Sequence, residues 1–362
     1  MNLENLNIVD IINKAFTEAV RERGHVNVLI AGRTGVGKGT LINAVFQGNY
    51  ATTGQGRPVT QETREIKKQG IPLSIFDTRG LEMADYQETL DALHTLILER
   101  QQDTDPNKHI HIAWLLIQEP GRRVEPAEIA LHEMFHNAGL PVIGVITKAI
   151  SDGGFRAEVQ RLLPQTRGVQ RVNSLEMVMD GGFSVPAHGL DELVDLTMEC
   201  VPLGHQRAFA AAQKASIAQK VKHSRIVVNA AAATAAGIGA QPIPFADAFL
   251  LVPTQVGMIT GITATFGMEL TEGFISALVA SAAGATAATY AGRALVGNLI
   301  QMFPGVGSAV GGAINAVTAS TLTMALGEAY IQTLKLLFEE HGGEPPTPAE
   351  VAERFKAILD EK

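Results

Sequence analysis

The sequence has little cysteine, few aromatic residues and, over most of its C-terminal half, little charge. Cys200 is the single cysteine among 362 residues, which excludes a disulfide framework and a cysteine-based zinc cluster. Aromatic residues make up 5% and apolar residues 46%, a composition too apolar for a disordered chain. The formal net charge of -8 argues against broad binding to phosphate backbones, so no nucleic-acid partner is expected.

The charged residues are spread very unevenly along the chain. Between residues 224 and 330 the charged residues are Arg225, Asp247, Glu269, Glu272, Arg293 and Glu328. This change in composition predicts a domain boundary. We expect an N-terminal packing helix over 1–24, an α/β domain over 25–203, an apolar helical domain over 204–340, and a linker with a C-terminal helix over 341–362. Thr347 and Glu350 form a capping-box pattern that opens this last helix.

Four stretches of the apolar region contain no charged residue and are long enough to cross a bilayer as helices. They are residues 226–246, 248–268, 273–292 and 294–327. Their prolines and many Ala, Gly and Thr residues contribute little transfer free energy, which favours a soluble, Ala-rich bundle instead. The sequence leaves both interpretations open.

Upstream of this region, apolar runs alternate with helical patterns. The predicted strands are Val26–Ala31, Ile71–Phe76, Ile110–Ile117 and Val142–Ile146. A helical pattern over Glu125–His136 separates the last two. Such alternation predicts a mostly parallel sheet with helices on both faces, followed here by an all-α, Ala/Gly-rich domain.

A phosphate-binding loop, with the sequence GRTGVGK over residues 32–38, lies between the first strand and a helix. Backbone amides of such a loop surround a phosphate at the positive end of the helix, and Lys38 can reach the β- and γ-oxygens. The predicted nucleotide contacts are Arg33, Thr34, Gly35, Val36, Gly37, Lys38, Gly39 and Thr40. Gly39 stands where a Ser or Thr usually ligates Mg²⁺, so Thr40 is the candidate ligand. The spelling GKGT also resembles nucleoside monophosphate kinases of the adenylate-kinase type.

A second motif, DTRG over residues 77–80, follows the second predicted strand and favours a GTPase over a kinase. Asp77 would hold Mg²⁺ through water, and the Gly80 amide would contact the γ-phosphate. Between the two motifs, Thr60 in RPVT fits a switch threonine that closes on Mg²⁺. The predicted metal residues are therefore Thr60, Asp77 and Thr40.

In this order, GRTGVGKGTLINAVF, RPVTQ and DTRGL resemble the Era/TrmE-type small GTPases over roughly residues 26–202. The resemblance implies a Ras-like P-loop fold that binds GTP or GDP with Mg²⁺. Thr147 and Lys148 match the family's [NT]KxD motif, whose lysine covers the purine, and Ser174 matches its last base-contacting loop. The family's aspartate, which pairs with guanine N1 and the 2-amino group, falls on Ile150, and Asp152 follows two residues later.

The hydrolytic machinery departs from the Ras-like pattern. Leu81 stands where a glutamine orients the attacking water. Two arginines, Arg57 and Arg79, are candidates to offset the transition-state charge. The predicted catalytic residues are Lys38, Arg57, Thr60, Arg79 and Gly80. We expect slow GTP hydrolysis and a site completed by a partner or by a homodimer through the GTPase domain.

A competing motif, HExxH, occurs at residues 132–136 within the helical pattern. In a metalloprotease it would supply two zinc ligands and a general base, with Glu158 as a third ligand. Because the helix lies between two strands of the predicted sheet, an ordinary packing helix is the favoured interpretation.

The apolar region itself resembles a second family. QPIPFAD at 241–247 and FPGVG at 303–307 are similar to the YcjF-like helical domain that follows Era-like GTPases in many bacterial chains. This resemblance implies a membrane-linked bacterial GTPase in the cytoplasm, at the inner face of a membrane. We therefore expect a nucleotide switch coupled to a membrane-associated helical domain. The alternatives are a degenerate nucleotide-binding module without hydrolysis and a GKGT-type nucleotide kinase.

Overall fold

The computed structural model describes residues 8–48, 64–78, 86–239, 246–269, 271, 274, 278 and 316–360. The chain divides into two compact units. One unit is Gly24–Ser216, and the other combines Met1–Arg23 with Ile217–Lys362. We call them the α/β unit and the helical unit.

The α/β unit is built on a six-stranded sheet. Its strands are β1 (Val26–Gly32), β2 (Arg64–Lys67), β3 (Leu73–Asp77), β4 (Ile112–Gln118), β5 (Val142–Thr147) and β6 (Gly168–Arg171). Their order is β2-β3-β1-β4-β5-β6, in which β2 is antiparallel to β3 and the other neighbours are parallel. This confirms the predicted, mostly parallel sheet. The strands expected from residues 71 and 110 begin two residues later. Since Pro72 has no N–H to donate, it is a natural boundary for β3.

Helices cover both faces of this sheet because successive strand residues point to opposite sides. The helices are α2 (Lys38–Val45), α3 (Tyr86–Gln101), α4 (Pro126–Asn137), α5 (Phe155–Leu162), α6 (Leu190–Cys200) and α7 (Leu203–Ala212). Val28 and Trp114 pack in one core with residues of α2, α6 and α7. Leu29 and Leu115, one residue later in each strand, pack in a second core with residues of α3, α4 and α5.

Helix α7 belongs to the α/β unit, whereas the sequence predicts a boundary after residue 203. Phe209 of α7 lies edge-on to Phe46, with ring centroids 6.0 Å apart, and Phe46 stacks on Trp114 at 5.6 Å. These aromatic contacts make α7 part of the apolar core on one face of the sheet. The boundary between the units therefore falls after Ser216. A short hairpin, β7 (Met177–Val178) with β8 (Ser184–Val185), follows β6.

The helical unit draws on both ends of the chain. The helices that the structure describes in it are α1 (Ile8–Arg23), α8 (Ile217–Gly239), α9 (Ala246–Phe266), α10 (Ala316–Glu340) and α11 (Pro348–Asp360). Ile11 and Ala15 of α1 pack against its apolar core. The predicted capping box opens α11, since the Glu350 carboxylate accepts a 2.7 Å hydrogen bond from the Thr347 amide. Helix α1 lies within the segment 1–24 that the sequence analysis set apart, and it belongs to the helical unit.

Small residues and buried polar groups distinguish the interior of this unit. A Cβ at Gly327 of α10 would lie 2.6 Å from a methyl carbon of Val228, so α8 and α10 approach closely. The buried Lys220 ammonium donates a 2.9 Å hydrogen bond to the Phe266 carbonyl, at the end of α9. Burial holds the pKa of Lys220 well below its ordinary value. Among the helices that the structure describes, none is both long enough and apolar enough to span a membrane.

Candidate nucleotide site

The loop between β1 and α2 has the backbone that a phosphate loop requires. Gly35 and Gly37 have φ values of 75° and 101°, which other residues adopt only with strain. A Cβ at either position would meet nothing within 4 Å, so conformation rather than space calls for glycine. Gly37 is the N-cap of α2 and has no side chain to occupy the amides of the first turn. Those amides suit an anion.

The side chain of Lys38 turns back into this loop. Its ammonium donates hydrogen bonds to the carbonyls of Gly32, at 2.9 Å, and Arg33, at 3.5 Å. Burial lowers the pKa of Lys38 below its ordinary value, and the negative charge of Asp77 acts in the opposite direction. A lysine held against carbonyl oxygens at the mouth of an amide-lined loop can transfer its hydrogen bonds to phosphate oxygens.

Two of the predicted metal residues lie beside this loop in the structure. Asp77 is buried at the end of β3, and Thr40 is half-buried in the first turn of α2. Carboxylate and hydroxyl oxygens are hard donors of the kind that Mg²⁺ prefers, so these two residues fit that ion. Thr60 and Arg57, and likewise Arg79, Gly80 and Leu81, lie outside the described residues.

The two matched residues of the predicted base motif are joined to the phosphate loop. The Thr147 hydroxyl donates to the carbonyl of Val36 at 2.7 Å, and the Lys148 ammonium donates to the carbonyl of Gly35 at 2.7 Å. Lys148 has a positive φ of 53°. The predicted phosphate and base residues thus come together at the carboxyl ends of β1 and β5, where open α/β sheets bind their ligands.

Ser174 lies in the segment that runs beside this base loop. Residues 172–174 follow β6, and the Val172 carbonyl accepts a 3.1 Å hydrogen bond from the Ala149 amide. Ser174 is half-buried. The contact places the segment next to residues 147–151, as its predicted role requires.

Glu119 organises the base loop, and the sequence analysis did not identify it. This buried residue follows β4, and its Oε1 accepts hydrogen bonds of 2.6 Å from the amides of both Ile150 and Ser151. Its Oε2 accepts a 2.8 Å hydrogen bond from Arg171 Nε, and Arg171 Nη2 lies 2.6 Å from the same oxygen in an ion pair. Burial by itself raises the pKa of Glu119, but these hydrogen bonds outweigh it and lower the pKa below its ordinary value. The sequence feature that could have identified Glu119 is an acidic residue directly after a buried strand, at the edge of the sheet where ligands bind.

Asp152 has a local structural role. Its Oδ1 accepts a 2.8 Å hydrogen bond from the amide of Arg156, in the first turn of α5, and lies 3.7 Å from Arg171 Nε. A carboxylate just before a helix is a favourable partner for the amides of its first turn. Ile150, at the expected position of the base-reading aspartate, is 40% exposed.

The HExxH motif forms part of α4. His132 is buried, His136 is exposed, and Glu158 pairs with Arg161 at 2.6 Å. In the part of the chain that the structure describes, no three His, Cys, Asp or Glu residues are grouped to hold a metal ion. The burial of His132 fits an ordinary helix packed in the α/β unit.

Two family models match the chain. Residues 27–148 match the model described as 50S ribosome-binding GTPase, and residues 206–361 match a domain of unknown function, DUF697. The first of these matches contains the phosphate loop, Asp77 and Thr147–Lys148.

The curated relatives match parts of the chain of very different lengths, from 77 to 257 residues. The tRNA modification GTPase MnmE of Vesicomyosocius okutanii is 40% identical over 77 residues, which are 20% of this chain and 17% of that protein. The GTPase Der of Rhizobium etli is 29% identical over 133 residues, 35% of this chain and 27% of Der. The chain thus matches well under half the length of either relative. Among solved structures, Aquifex aeolicus Era bound to GDP.AlF4- is 17% identical, covers 49% of this chain and 57% of its own, and has a TM-score of 0.35.

Proposed function

We propose that the chain is a guanine-nucleotide-dependent switch, because residues 27–148 match a GTPase model, residues 206–361 match DUF697, and parts of the chain are similar to the GTPases MnmE and Der. The observation that supports this most directly is the placement of Lys38 within a loop of left-handed glycines at the start of α2. The Lys38 ammonium and the backbone amides around it form the binding set expected for a polyphosphate.

The residues take the following roles in this proposal. Lys38 and the amides of residues 33–40 bind the phosphates, Lys148 covers the purine, and Ser174 borders the base. Thr40, Thr60 and Asp77 hold Mg²⁺, and the Gly80 amide contacts the γ-phosphate. When bound, the ion offsets the negative charge of the phosphate oxygens.

Loss of the Lys38 ammonium tests the assignment. Lys38→Ala in the full chain should lower the affinity for GDP, measured by calorimetry with Mg²⁺, by at least 100-fold. Lys108→Ala is the matched control, because Lys108 is an exposed lysine of the same unit that pairs with Asp103. Equal GDP affinities for the Lys38→Ala variant and the wild type would contradict the proposed site.

Hydrolysis is the finer part of the proposal. Since Leu81 cannot orient a water molecule, we propose slow intrinsic turnover, with Arg57 or Arg79 offsetting charge and a second subunit or partner completing the site. Phosphate release per molecule should then rise with protein concentration. Fast turnover that is independent of concentration would exclude this arrangement.

The helical unit is the proposed output of the switch, at the cytoplasmic face of a bacterial membrane. The low charge of residues 224–330 supports a membrane-associated role for this unit. Cell fractionation followed by a carbonate wash tests it. Protein in the membrane fraction that carbonate releases is peripheral, protein that resists carbonate is integral, and protein confined to the soluble fraction would refute the membrane role.

A binding module without hydrolysis is the second candidate, and Gly39 and Ile150 favour it. Each replaces a polar residue that a standard GTPase uses for the metal or for the base. Protein that purifies with GDP and shows no turnover would support this candidate. A GKGT-type kinase is the third, and it would transfer phosphate only when an acceptor is added.

A further inference from the structure

Two segments of the α/β unit border the position expected for the base of a bound nucleotide. One is the loop 149–152 after β5, and the other is the segment 172–174 after β6. Lys148, which precedes the loop, donates to the phosphate loop, so a nucleotide bound there directs its base towards these segments. The Ala149 amide joins the two through a 3.1 Å hydrogen bond to the Val172 carbonyl. The affinity for the base therefore depends on how the two segments are held relative to each other.

The carboxylate of Glu119, directly after β4, contacts both sides of this arrangement. Its Oε1 accepts hydrogen bonds of 2.6 Å from the amides of Ile150 and Ser151 in the loop. Its Oε2 accepts a 2.8 Å hydrogen bond from Arg171 Nε, and Arg171 immediately precedes the segment 172–174. One carboxylate thus links the loop after β5 to the end of β6.

Burial and charge make these hydrogen bonds strong. Only 3% of Glu119 is exposed, so water competes little for its oxygens. Burial alone would raise the pKa of Glu119, but its hydrogen bonds lower the pKa below the ordinary value, so the carboxylate is ionised at neutral pH. Hydrogen bonds to an ionised acceptor are stronger than those between neutral groups. Loss of the carboxylate would leave two amides and one guanidinium without this acceptor.

A second carboxylate near Arg171 belongs to Asp152, and it does not duplicate the link. Its Oδ1 lies 3.7 Å from Arg171 Nε, beyond hydrogen-bond distance. The same oxygen accepts a 2.8 Å hydrogen bond from the Arg156 amide at the start of α5. Asp152 therefore ties the end of the loop to α5, whereas Glu119 ties the loop to β6.

The carbonyl groups of the loop have partners of their own. Arg122 Nη2 donates to the Ser151 carbonyl at 2.7 Å, and His188 Nε2 donates to the Ala149 carbonyl at 3.1 Å. Since these contacts do not involve Glu119, we expect them to persist in a variant without its carboxylate. Such a variant should keep the loop near its place while its amides lose their fixed direction.

From these contacts we infer that Glu119 is a positioning residue for the base of the bound nucleotide. It fixes the loop 149–152 and the segment 172–174 relative to each other, and it thereby sets the part of the affinity that depends on the base. The inference rests on the proposed function, because it concerns the same site. Glu119 acts through the two segments and has no contact of its own with the nucleotide in this arrangement.

Calorimetry by displacement on the full chain with Mg²⁺ tests this role, using GDP and UDP as probes. The two share the ribose and the phosphates, so the ratio of their dissociation constants isolates the base. Glu119→Ala should lower the preference for GDP over UDP by about tenfold, mainly through weaker GDP binding. An unchanged ratio overturns the inference and leaves the proposed function standing. Wild-type protein that binds no GDP, or binds GDP no more tightly than UDP, overturns both.

Two further variants separate positioning from general stability. Glu119→Gln retains an acceptor for the two amides, so its GDP affinity should be at least threefold higher than that of Glu119→Ala. Equal affinities in these two variants would show that the hydrogen bonds to the loop do not govern base binding. Glu158→Ala is the control, because Glu158 is an exposed acid of the same unit that pairs with Arg161. It should leave the preference for GDP over UDP unchanged.

Arg171→Ala keeps the test available if Glu119→Ala does not fold. Arg171 is partly exposed, and its loss removes the link to β6 while Glu119 retains both amides of the loop. The preference for GDP over UDP should fall several-fold in this variant. A preference equal to that of the wild type would show that the link between the two segments does not affect base binding, and it would overturn the inference.

Discussion

The hydroxyl of Thr147 donates a 2.7 Å hydrogen bond to the main-chain carbonyl of Val36, and both residues are buried. This bond joins the end of β5 to the phosphate loop, so the loop's conformation depends on a residue from a strand far along the chain. Thr147 therefore has a structural function in the site beside its predicted contact with the nucleotide.

Removal of this hydroxyl should weaken both the fold and the site. Thr147→Val leaves the Val36 carbonyl buried without this partner, and we expect a loss of about 1–3 kcal/mol in the free energy of unfolding. GDP affinity should fall several-fold. Urea denaturation followed by the fluorescence of Trp114, the single tryptophan, measures the first effect. Thr95→Val is the control, since Thr95 lies exposed on α3 and its hydroxyl donates to the Asp91 carbonyl in the preceding turn of that helix. Equal losses in both variants would contradict the role of Thr147.

The left-handed glycine at the N-cap of α2 predicts a cost from strain alone. Gly37→Ala should destabilise the α/β unit by about 1–3 kcal/mol, because alanine at a φ of 101° is strained although space is available. Gly204→Ala offers a matched comparison: Gly204 lies in α7, has no left-handed φ, and a Cβ there also meets nothing within 4 Å. That variant should match or slightly exceed wild-type stability. A Gly37→Ala variant as stable as the wild type would show that the loop adopts another backbone conformation without cost.

His111 predicts a loss of stability in mild acid. Its Nδ1 accepts the Asn27 amide at 2.9 Å, which only an unprotonated Nδ1 can do. Burial first, and then the charge of His205, lower the pKa of His111 to about 4. Because the folded pKa lies below the unfolded value of 6.5, the unfolded chain takes up the proton first. Stability is then fully present above pH 6.5 and is lost as the pH falls towards 4, by an amount on the order of 3 kcal/mol.

Urea titrations between pH 4 and pH 7 measure this loss. His111→Gln retains an acceptor and a donor without titrating, so it should flatten the dependence on pH. If stability falls with pH as steeply in His111→Gln as in the wild type, the loss does not come from His111.

Glu128 predicts a dependence of the opposite sign. Its carboxylate accepts the Glu125 amide at 2.8 Å within the capping box of α4, and burial raises its pKa to about 7. Since the folded pKa is above the unfolded one, this group favours folding below pH 4.5, and that stability is lost as the pH rises through 7. Glu128→Gln keeps the capping acceptor, so it should stabilise the unit at pH 8, by up to about 3 kcal/mol, and change little at pH 4. Equal free energies of unfolding for Glu128→Gln and the wild type at pH 8 would show that Glu128 ionises in the folded protein without cost.

The parts of the fold that the sequence predicts are those whose structure is determined by residues close together in the chain. The strand at Val26, the glycine-rich turn and the helix after Lys38 follow one another within twenty residues, so their pattern is sufficient to place the phosphate loop. The sequence matched Thr147 and Lys148 to a base-binding motif, but their hydrogen bonds to the carbonyls of that loop were not among its predictions.

Glu119 escaped prediction because its role arises from contacts between β4, β5 and β6, which are distant in sequence. An acid after a strand looks the same whether it faces solvent or binds two amides of another loop. The position of α7 escaped for a similar reason, since its composition fits the apolar region while Phe209 packs on Phe46. Residue patterns identify an apolar face, but they do not identify the surface that covers it.

The helical unit receives α1 from one end of the chain and the rest of its helices from the other. During synthesis on the ribosome, α1 emerges before the whole of Gly24–Ser216. Ile11 and Ala15 therefore have no core to pack against until the later helices have been synthesised. The α/β unit can fold in that interval, whereas the helical unit cannot. A fragment limited to residues 206–361 would have the same defect permanently, because the helix that covers part of its core would be missing.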